Sequence, residues 1–249
     1  MRRALITAIA AIAFAEPASA AQEVQRVRYD ISLYGLQIGR AIFESHFEGP
    51  GFAVAGRFES AGLARVFDRT NGTVTANGWL NENESRPNQY TLEYTSGDER
   101  TKATIRFADG AVNEAEYKPE PKKRDDWVPV EREHLSRVAD PVTALLLPAE
   151  READVCRRTI RVYDGSIRAD LELEPAQGDE NFRDASVTCR ARFVPVSGYR
   201  KGHSSIAYLR DRSRILIGFE PVQGRGVYSL ARASIATKIG TVHIRGHRM

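Results

Sequence analysis

The chain is poor in cysteine and has no long apolar run. These two absences bear on whether it can bind a metal and whether it can span a membrane. Its longest uncharged, mostly apolar stretch is residues 4–15, only twelve residues, whereas a membrane-spanning helix needs about twenty. Two cysteines, Cys156 and Cys189, are too few for a cysteine-based zinc site, and no histidine cluster supplies further ligands. The sequence therefore predicts no membrane span in the mature chain and no bound metal.

Motifs of catalysis and of phosphate binding are missing as well. No Gly-x-Ser-x-Gly turn is present for a nucleophilic serine, and Gly224 and Gly226 lie in a turn rather than in a phosphate-binding loop. Acidic pairs such as Asp125 and Asp126 belong to charged stretches in which burial is not expected to perturb the pKa. We predict no catalytic residue and no cofactor.

A strong charge of either sign is also absent. The net charge is +3, and acidic and basic residues are interspersed along the chain, so the sequence argues against a nucleic-acid partner. Weak attraction to an anionic lipid surface is compatible with this small positive excess.

The first twenty residues are typical of a secretory signal peptide. Arg2 and Arg3 precede the apolar stretch, and Ala18, Ser19 and Ala20 form the small-residue pattern of a cleavage site. We predict cleavage after Ala20, which leaves residues 21–249 as a single β-rich domain outside the cytoplasm. Loss of Arg2, Arg3 and Glu16 lowers the net charge to +2.

Export makes a disulfide the expected state of the two cysteines, because such bonds persist in oxidising compartments. A bond between Cys156 and Cys189 would close a loop of 34 residues. The chain-entropy model assigns such a loop about 3–4 kcal/mol of stabilisation.

Alternation of apolar and polar residues dominates the rest of the chain. Val27, Tyr29, Ile31 and Leu33 alternate with polar residues, the period of a strand with one buried face. Turn dipeptides such as Asp109-Gly110 and Asp164-Gly165 separate later strand-like segments. We count eleven to thirteen strands in one antiparallel sheet, with two or three short helices.

Two segments break the alternation. Leu63, Val66 and Phe67 have the spacing of a short amphipathic helix. Asp140 and Pro141 form a helix start, so we predict a helix from there through Leu147. This second helix is expected to pack over the sheet, either as a plug or as a lid over an apolar cavity.

Several segments together resemble an exported Gram-negative family, domain-of-unknown-function family 3108. The similar pieces follow one another in the same order over most of the mature chain: residues 29–39 (YDISLYGLQIG), residues 140–146 (DPVTALL), Cys156, residues 162–165 (VYDG), residues 189–199 (CRARFVPVSGY), residues 220–222 (EPV) and residues 238–240 (KIG).

The resemblance implies a periplasmic β-rich protein with no established enzymatic activity. It further implies a single curved antiparallel sheet, an open barrel or β-spiral similar to periplasmic lipoprotein carriers. In such carriers a helix covers an apolar cavity. No functional residue is transferred by this resemblance.

Our leading functional hypothesis is a non-catalytic protein of the cell envelope that could bind a lipid or another apolar ligand in the curved sheet. Candidate cavity-lining residues are Phe43, Phe58, Leu145, Leu146 and Leu147. One alternative is a binding or scaffold module for envelope proteins, using an exposed strand edge or the basic loop at residues 118–124. The other is an enzyme whose site carries no known motif.

Overall fold

The computed structural model describes residues 23–62, 65 and 69–249. The predicted signal peptide, residues 1–20, and the predicted helix at Leu63, Val66 and Phe67 lie outside the described residues. The described strands are β1 Glu23–Leu33, β2 Leu36–Glu48, β3 Gly51–Ser60, β4 Thr70–Leu80, β5 Ser85–Ser96, β6 Glu99–Ala108, β7 Ala111–Lys118, β8 Trp127–Val128, β9 Leu146–Pro148, β10 Arg158–Tyr163, β11 Arg168–Pro175, β12 Val187–Ser197, β13 Tyr199–Arg200, β14 Ile215–Val222, β15 Val227–Thr237 and β16 Gly240–Arg248.

Short helices complete the described chain. The α-helices are α1 Glu152–Val155 and α2 Ser204–Asp211, and the 3₁₀ turns are Arg132–Leu135, Thr143–Leu145 and Gly178–Glu180. Among the described residues, no helix has the length and apolar character needed to cross a membrane.

One antiparallel sheet organises the molecule. Its strands follow the order β10-β11-β12-β14-β15-β16-β1-β2-β3-β4-β5-β6-β7. The first seven strands pair with their sequence neighbours, and β1 also pairs with β16, with Ile31 opposite Ile244. The prediction of a mostly β fold built on one large antiparallel sheet is confirmed. Three further strands, β8, β9 and β13, have only two or three residues each. Strands this short contain too few residues to show an alternating pattern in the sequence.

The sheet is not closed by pairing of its two edge strands, β7 and β10, among the described residues. Residues 136–139 lie between these edges instead. The Arg137 N–H donates to the Gly110 carbonyl at 2.7 Å, beside β7. The Ala139 N–H donates to the Arg161 carbonyl at 2.8 Å, beside β10. The fold is therefore an open barrel whose gap is spanned by a connecting segment.

The alternating pattern places apolar side chains on the inner face of the sheet. In β3, Phe52 and Val54 are buried while Ala53 and Ala55 are exposed. This arrangement is the one expected of an antiparallel sheet with one face toward a core.

Residues 140–148, which we name the strap, cross the inner face of the sheet. Their conformation differs from the one predicted from the sequence. The expected helix through Leu147 is wrong: only Thr143–Leu145 is helical, as a 3₁₀ turn, and Leu146–Pro148 is strand β9. Pairing with β15 explains the difference, because Leu147 lies opposite Tyr228 in an antiparallel ladder. These tertiary backbone hydrogen bonds replace the intrahelical ones that a longer helix would need.

The predicted disulfide is confirmed and lies in the largest core cluster. Cys156 and Cys189 are bonded, with their Cα atoms 5.2 Å apart and both side chains buried. Val155, Ile160 and Phe219 belong to the same cluster. The bond joins the end of α1 to β12, on the far side of the β10–β11 hairpin. That hairpin is also confirmed, with Tyr163 opposite Arg168.

Candidate ligand-binding cavity

An apolar cavity of about 300 Å³ lies on the concave face of the sheet, between strands β1–β5 and the strap. Its volume is at the lower end of the ~300–1,000 Å³ range of ligand pockets. Most lining residues are inward-facing strand residues with apolar side chains. The lining consists of Gln25, Val27, Tyr29, Ile31, Ala41, Phe43, Ser45, Val54, Phe58, Val74, Tyr90, Leu92, Pro141, Val142, Leu145, Leu146, Ser229, Leu230 and Ile244.

A glycine on β3 makes room for the aromatic wall of the cavity. A Cβ atom at Gly56 would lie 2.5 Å from Cε1 of Phe43 and 2.8 Å from a methyl carbon of Val74. The Phe43 ring therefore occupies the space that a side chain at Gly56 would need. The ring of Tyr29 meets that of Phe43 edge to face, with centroids 5.8 Å apart, a favourable geometry for aromatic pairs.

The strap forms the opposite wall and is fixed at several points. Pro141, Val142, Leu145 and Leu146 line the cavity. The Ser85 hydroxyl donates to the Leu146 carbonyl at 2.6 Å, and the pairing of β9 with β15 continues this attachment. The cavity wall is thus built from a short segment bound to β5 on one side and to β15 on the other.

Asp140 organises the first turn of the strap from a fully buried position. Its Oδ1 accepts hydrogen bonds from the Val142 and Thr143 N–H groups, each at 2.9 Å, and its Oδ2 accepts one from the Thr143 hydroxyl at 2.6 Å. Burial raises the pKa of Asp140 to about 6, and the hydrogen bonds from Thr143 and Val142 oppose this rise. The pKa of Tyr90 is also raised, chiefly by burial and then by the negative charge of Asp140.

The raised pKa of Asp140 predicts that part of the protein's stability depends on pH. An ordinary aspartate titrates near pH 3.8, so between pH 3.8 and 6 the folded protein binds a proton that the unfolded chain does not. The stabilisation of the folded protein by protonation of Asp140 is therefore fully present below pH 3.8 and is lost as the pH rises through 6. A pKa shift of this size corresponds to a change in the free energy of unfolding on the order of 3 kcal/mol.

The measurement is urea unfolding of the wild type and of Asp140→Asn at pH 4, 5 and 7. We expect the stability of the wild type relative to the variant to fall steadily over this range. Other carboxyl groups, including the buried Asp164 with its raised pKa, are common to both proteins and cancel in the difference. A difference that stays constant with pH would show that Asp140 does not titrate in this window.

The structure brings together four of the five lining residues predicted from sequence. Phe43, Phe58, Leu145 and Leu146 line the cavity, whereas Leu147 does not. Leu147 packs in the core cluster that contains the disulfide. The physical reason is strand geometry: adjacent residues of β9 point to opposite sides, so Leu146 and Leu147 cannot both face the cavity.

The sequence predicted only these candidates, so the remaining lining residues were missed, among them the two tyrosines and the β15 residues. Tyr29 was detectable, because it alternates in phase with Val27 and Ile31 on β1. Ser229 and Leu230 carried no such signal. They reach the cavity because β15 pairs with β9 at Ser229, a contact between segments about eighty residues apart.

Few polar groups face the cavity. Its polar side chains are those of Gln25, Ser45 and Ser229, together with the two tyrosine hydroxyls. Within the part of the chain that the structure describes, no group of three or more His, Cys, Asp or Glu side chains could hold a metal ion. The arrangement is suited to binding hydrocarbon by burial, with a small number of polar groups available for orientation.

One of three comparisons with known proteins shows the family of the chain. A search of curated proteins finds no significant match. Among solved structures, the chain is similar to a crystal structure described as a β-barrel-like protein of domain of unknown function DUF1849 from Brucella abortus. The identity is 13%, the match covers 91% of this chain and 95% of that chain, and the TM-score is 0.48. The profile of the family described as "Protein of unknown function (DUF3108)" matches residues 28–245. The chain therefore belongs to the DUF3108 family.

Proposed function

We propose that this protein is a non-catalytic, periplasmic carrier that binds one lipid-like molecule in the cavity between the sheet and the strap. The main support for this proposal is the apolar cavity itself. A space of about 300 Å³ is surrounded largely by hydrocarbon side chains from β1–β5 and the strap. Transfer of a methylene group from water into such a space stabilises a complex by ~0.8 kcal/mol.

Two further features support an exported carrier. The sequence begins with the pattern of a cleavable signal peptide. The only two cysteines form a buried disulfide, which is characteristic of proteins that fold outside the cytoplasm. Both features fit a protein that would meet lipids in the periplasm.

Filling the cavity tests the proposal. Ala41 lines the cavity and is buried, so Ala41→Phe places a ring where the ligand would lie. We expect this variant to bind N-phenyl-1-naphthylamine at least about tenfold more weakly, because the ring displaces several methylene-sized contacts worth ~0.8 kcal/mol each. The measurement is a fluorescence titration of the purified protein.

Ala55→Phe is the matched control. Ala55 lies on the neighbouring strand β3 but is exposed on the outer face, so the same change there leaves the cavity intact. Circular dichroism and unfolding temperature establish that both variants fold. Equal affinity of the two folded variants for the probe would contradict binding in the cavity.

A further inference from the structure

Strands β15 and β16 pair along only part of their length. Their ladder runs from Thr237 opposite Gly240 to Arg232 opposite Arg245 and ends there. Before that point β15 pairs with the strap strand β9, and β16 continues beside β1. The sheet therefore forks, with β15 bending inward toward the strap and β16 remaining in the outer wall.

A β-bulge at Ala231 produces the fork. On the side facing β14, Arg232 lies opposite Gly218 and Leu230 lies opposite Phe219, so Ala231 is left without a partner in this ladder. Bulges bend the strand that carries them and end pairing locally. This one stands next to the last residue pair that joins β15 to β16.

The opening between the two arms of the fork, which we name the window, has defined limits. At one end Asp184 accepts hydrogen bonds from both Arg232, at 2.6 Å, and Arg245, at 2.7 Å. At the other end Arg225 donates to the Phe47 carbonyl at 3.0 Å and contacts Glu23 at 3.2 Å. Arg232 thus attaches the β15 arm to Asp184 at one end of the window, and Arg225 attaches it to Phe47 and Glu23 at the other.

The window lies between the cavity and a second pocket of about 340 Å³, which we name the outer pocket. Gln25, Val27, Ser229 and Leu230 line both spaces. The hydroxyl of Tyr29 donates to the Leu230 carbonyl at 2.7 Å and so joins β1 to β15 across the window. These four residues are therefore common to the linings of both spaces, and the Tyr29–Leu230 hydrogen bond joins the two strands that carry them.

Two arginines, Arg245 and Arg248, and two acids, Asp184 and Glu220, line the outer pocket. His247 also lines it and contacts Asp30 at 3.3 Å. Arg245 pairs with Asp184 at 2.7 Å, and Arg248 pairs with Glu220 at 3.1 Å. Arg248 also donates to the Pro221 carbonyl at 2.8 Å. Two cations and two anions suit a headgroup that carries both charges better than one with a net charge.

We propose that the window is the entrance of the cavity and that it holds the headgroup of a zwitterionic amphiphile whose acyl chain lies in the cavity. The inference rests on the proposed function and adds the route and the chemical class of the ligand. Entry requires the Tyr29–Leu230 hydrogen bond to break and the β15 arm to separate from β1.

The first test is the rate at which N-phenyl-1-naphthylamine enters and leaves, measured by stopped-flow fluorescence. Tyr29→Phe removes one hydroxyl, and we expect both rates to rise about fivefold, the factor associated with one hydrogen bond. Tyr163→Phe is the matched control, because it removes a hydroxyl that donates to the Gly165 carbonyl at 2.8 Å, outside the cavity lining. Its rates should equal those of the wild type.

The second test blocks the window and varies the headgroup. Ser229→Trp should slow entry at least tenfold, and lauroyl-lysophosphatidylethanolamine should displace the probe from the wild type at lower concentration than laurate does. Unchanged rates in both Tyr29→Phe and a folded Ser229→Trp would overturn the window as entrance, and stronger displacement by laurate would overturn the headgroup class. Failure of the wild type to bind the probe at all would instead refute the proposed function.

Discussion

Cys189→Ser is expected to lower the free energy of unfolding of the oxidised protein by about 3–4 kcal/mol, the loop-closure contribution of a 34-residue loop. The loop contains β10, β11 and the 3₁₀ turn Gly178–Glu180, so without the bond the unfolded chain gains freedom over these three elements. Cys189 is also fully buried beside Ile217 and Phe219, and the hydroxyl introduced there adds a further cost if it finds no partner. Urea unfolding at neutral pH measures the change.

Reductant supplies the control for this prediction. Reducing the wild type should bring its stability close to that of the serine variant, whereas the variant itself should not respond to reductant. If wild type and variant lost equal stability on reduction, the disulfide would not be the source of the difference.

Asp140→Ala is expected to cost about 2–3 kcal/mol and to abolish measurable binding of N-phenyl-1-naphthylamine. The substitution leaves the Val142 and Thr143 N–H groups and the Thr143 hydroxyl without their acceptor. Buried donors without partners cost about 1–3 kcal/mol each, and the loss is reduced because a buried carboxylate is also removed. Since the turn positions Val142 and Leu145 in the cavity wall, its disruption should reach the binding site.

Asp140→Asn separates the two effects of the substitution. The amide oxygen can still accept from the two N–H groups, so this variant should retain probe binding and most of the stability. Urea unfolding and probe titration of both variants at pH 7 give the comparison. Loss of binding in the asparagine variant as large as in the alanine variant would show that the charge, rather than the acceptor, organises the strap.

Patterns within short stretches of sequence were sufficient to predict the long strands and their hairpin turns. Alternation placed Val27, Tyr29 and Ile31 on one face of β1, and Asp164-Gly165 marked the β10–β11 hairpin. The oxidised pairing of Cys156 with Cys189 followed from their number and the export signal. Each of these features depends on residues close in sequence, or on there being only one possible pair.

The strap and the window could not be predicted, because both depend on contacts between distant segments. Leu145, Leu146 and Leu147 have good helix propensity, yet β15 supplies backbone partners at Leu146 and Leu147 that end the helix. Nothing in the sequence around Ala231 signals a bulge. The cavity could be anticipated from a curved apolar sheet, but its lateral opening required the strand register.

Native mass spectrometry of the protein released from the periplasm tests most directly the claim that the cavity holds one lipid-like molecule. We expect a species heavier than the mature chain by the mass of a single lipid, absent from Ala41→Phe and present in Ala55→Phe. Bare wild-type protein in every preparation, or an adduct that Ala41→Phe carries equally, would contradict it.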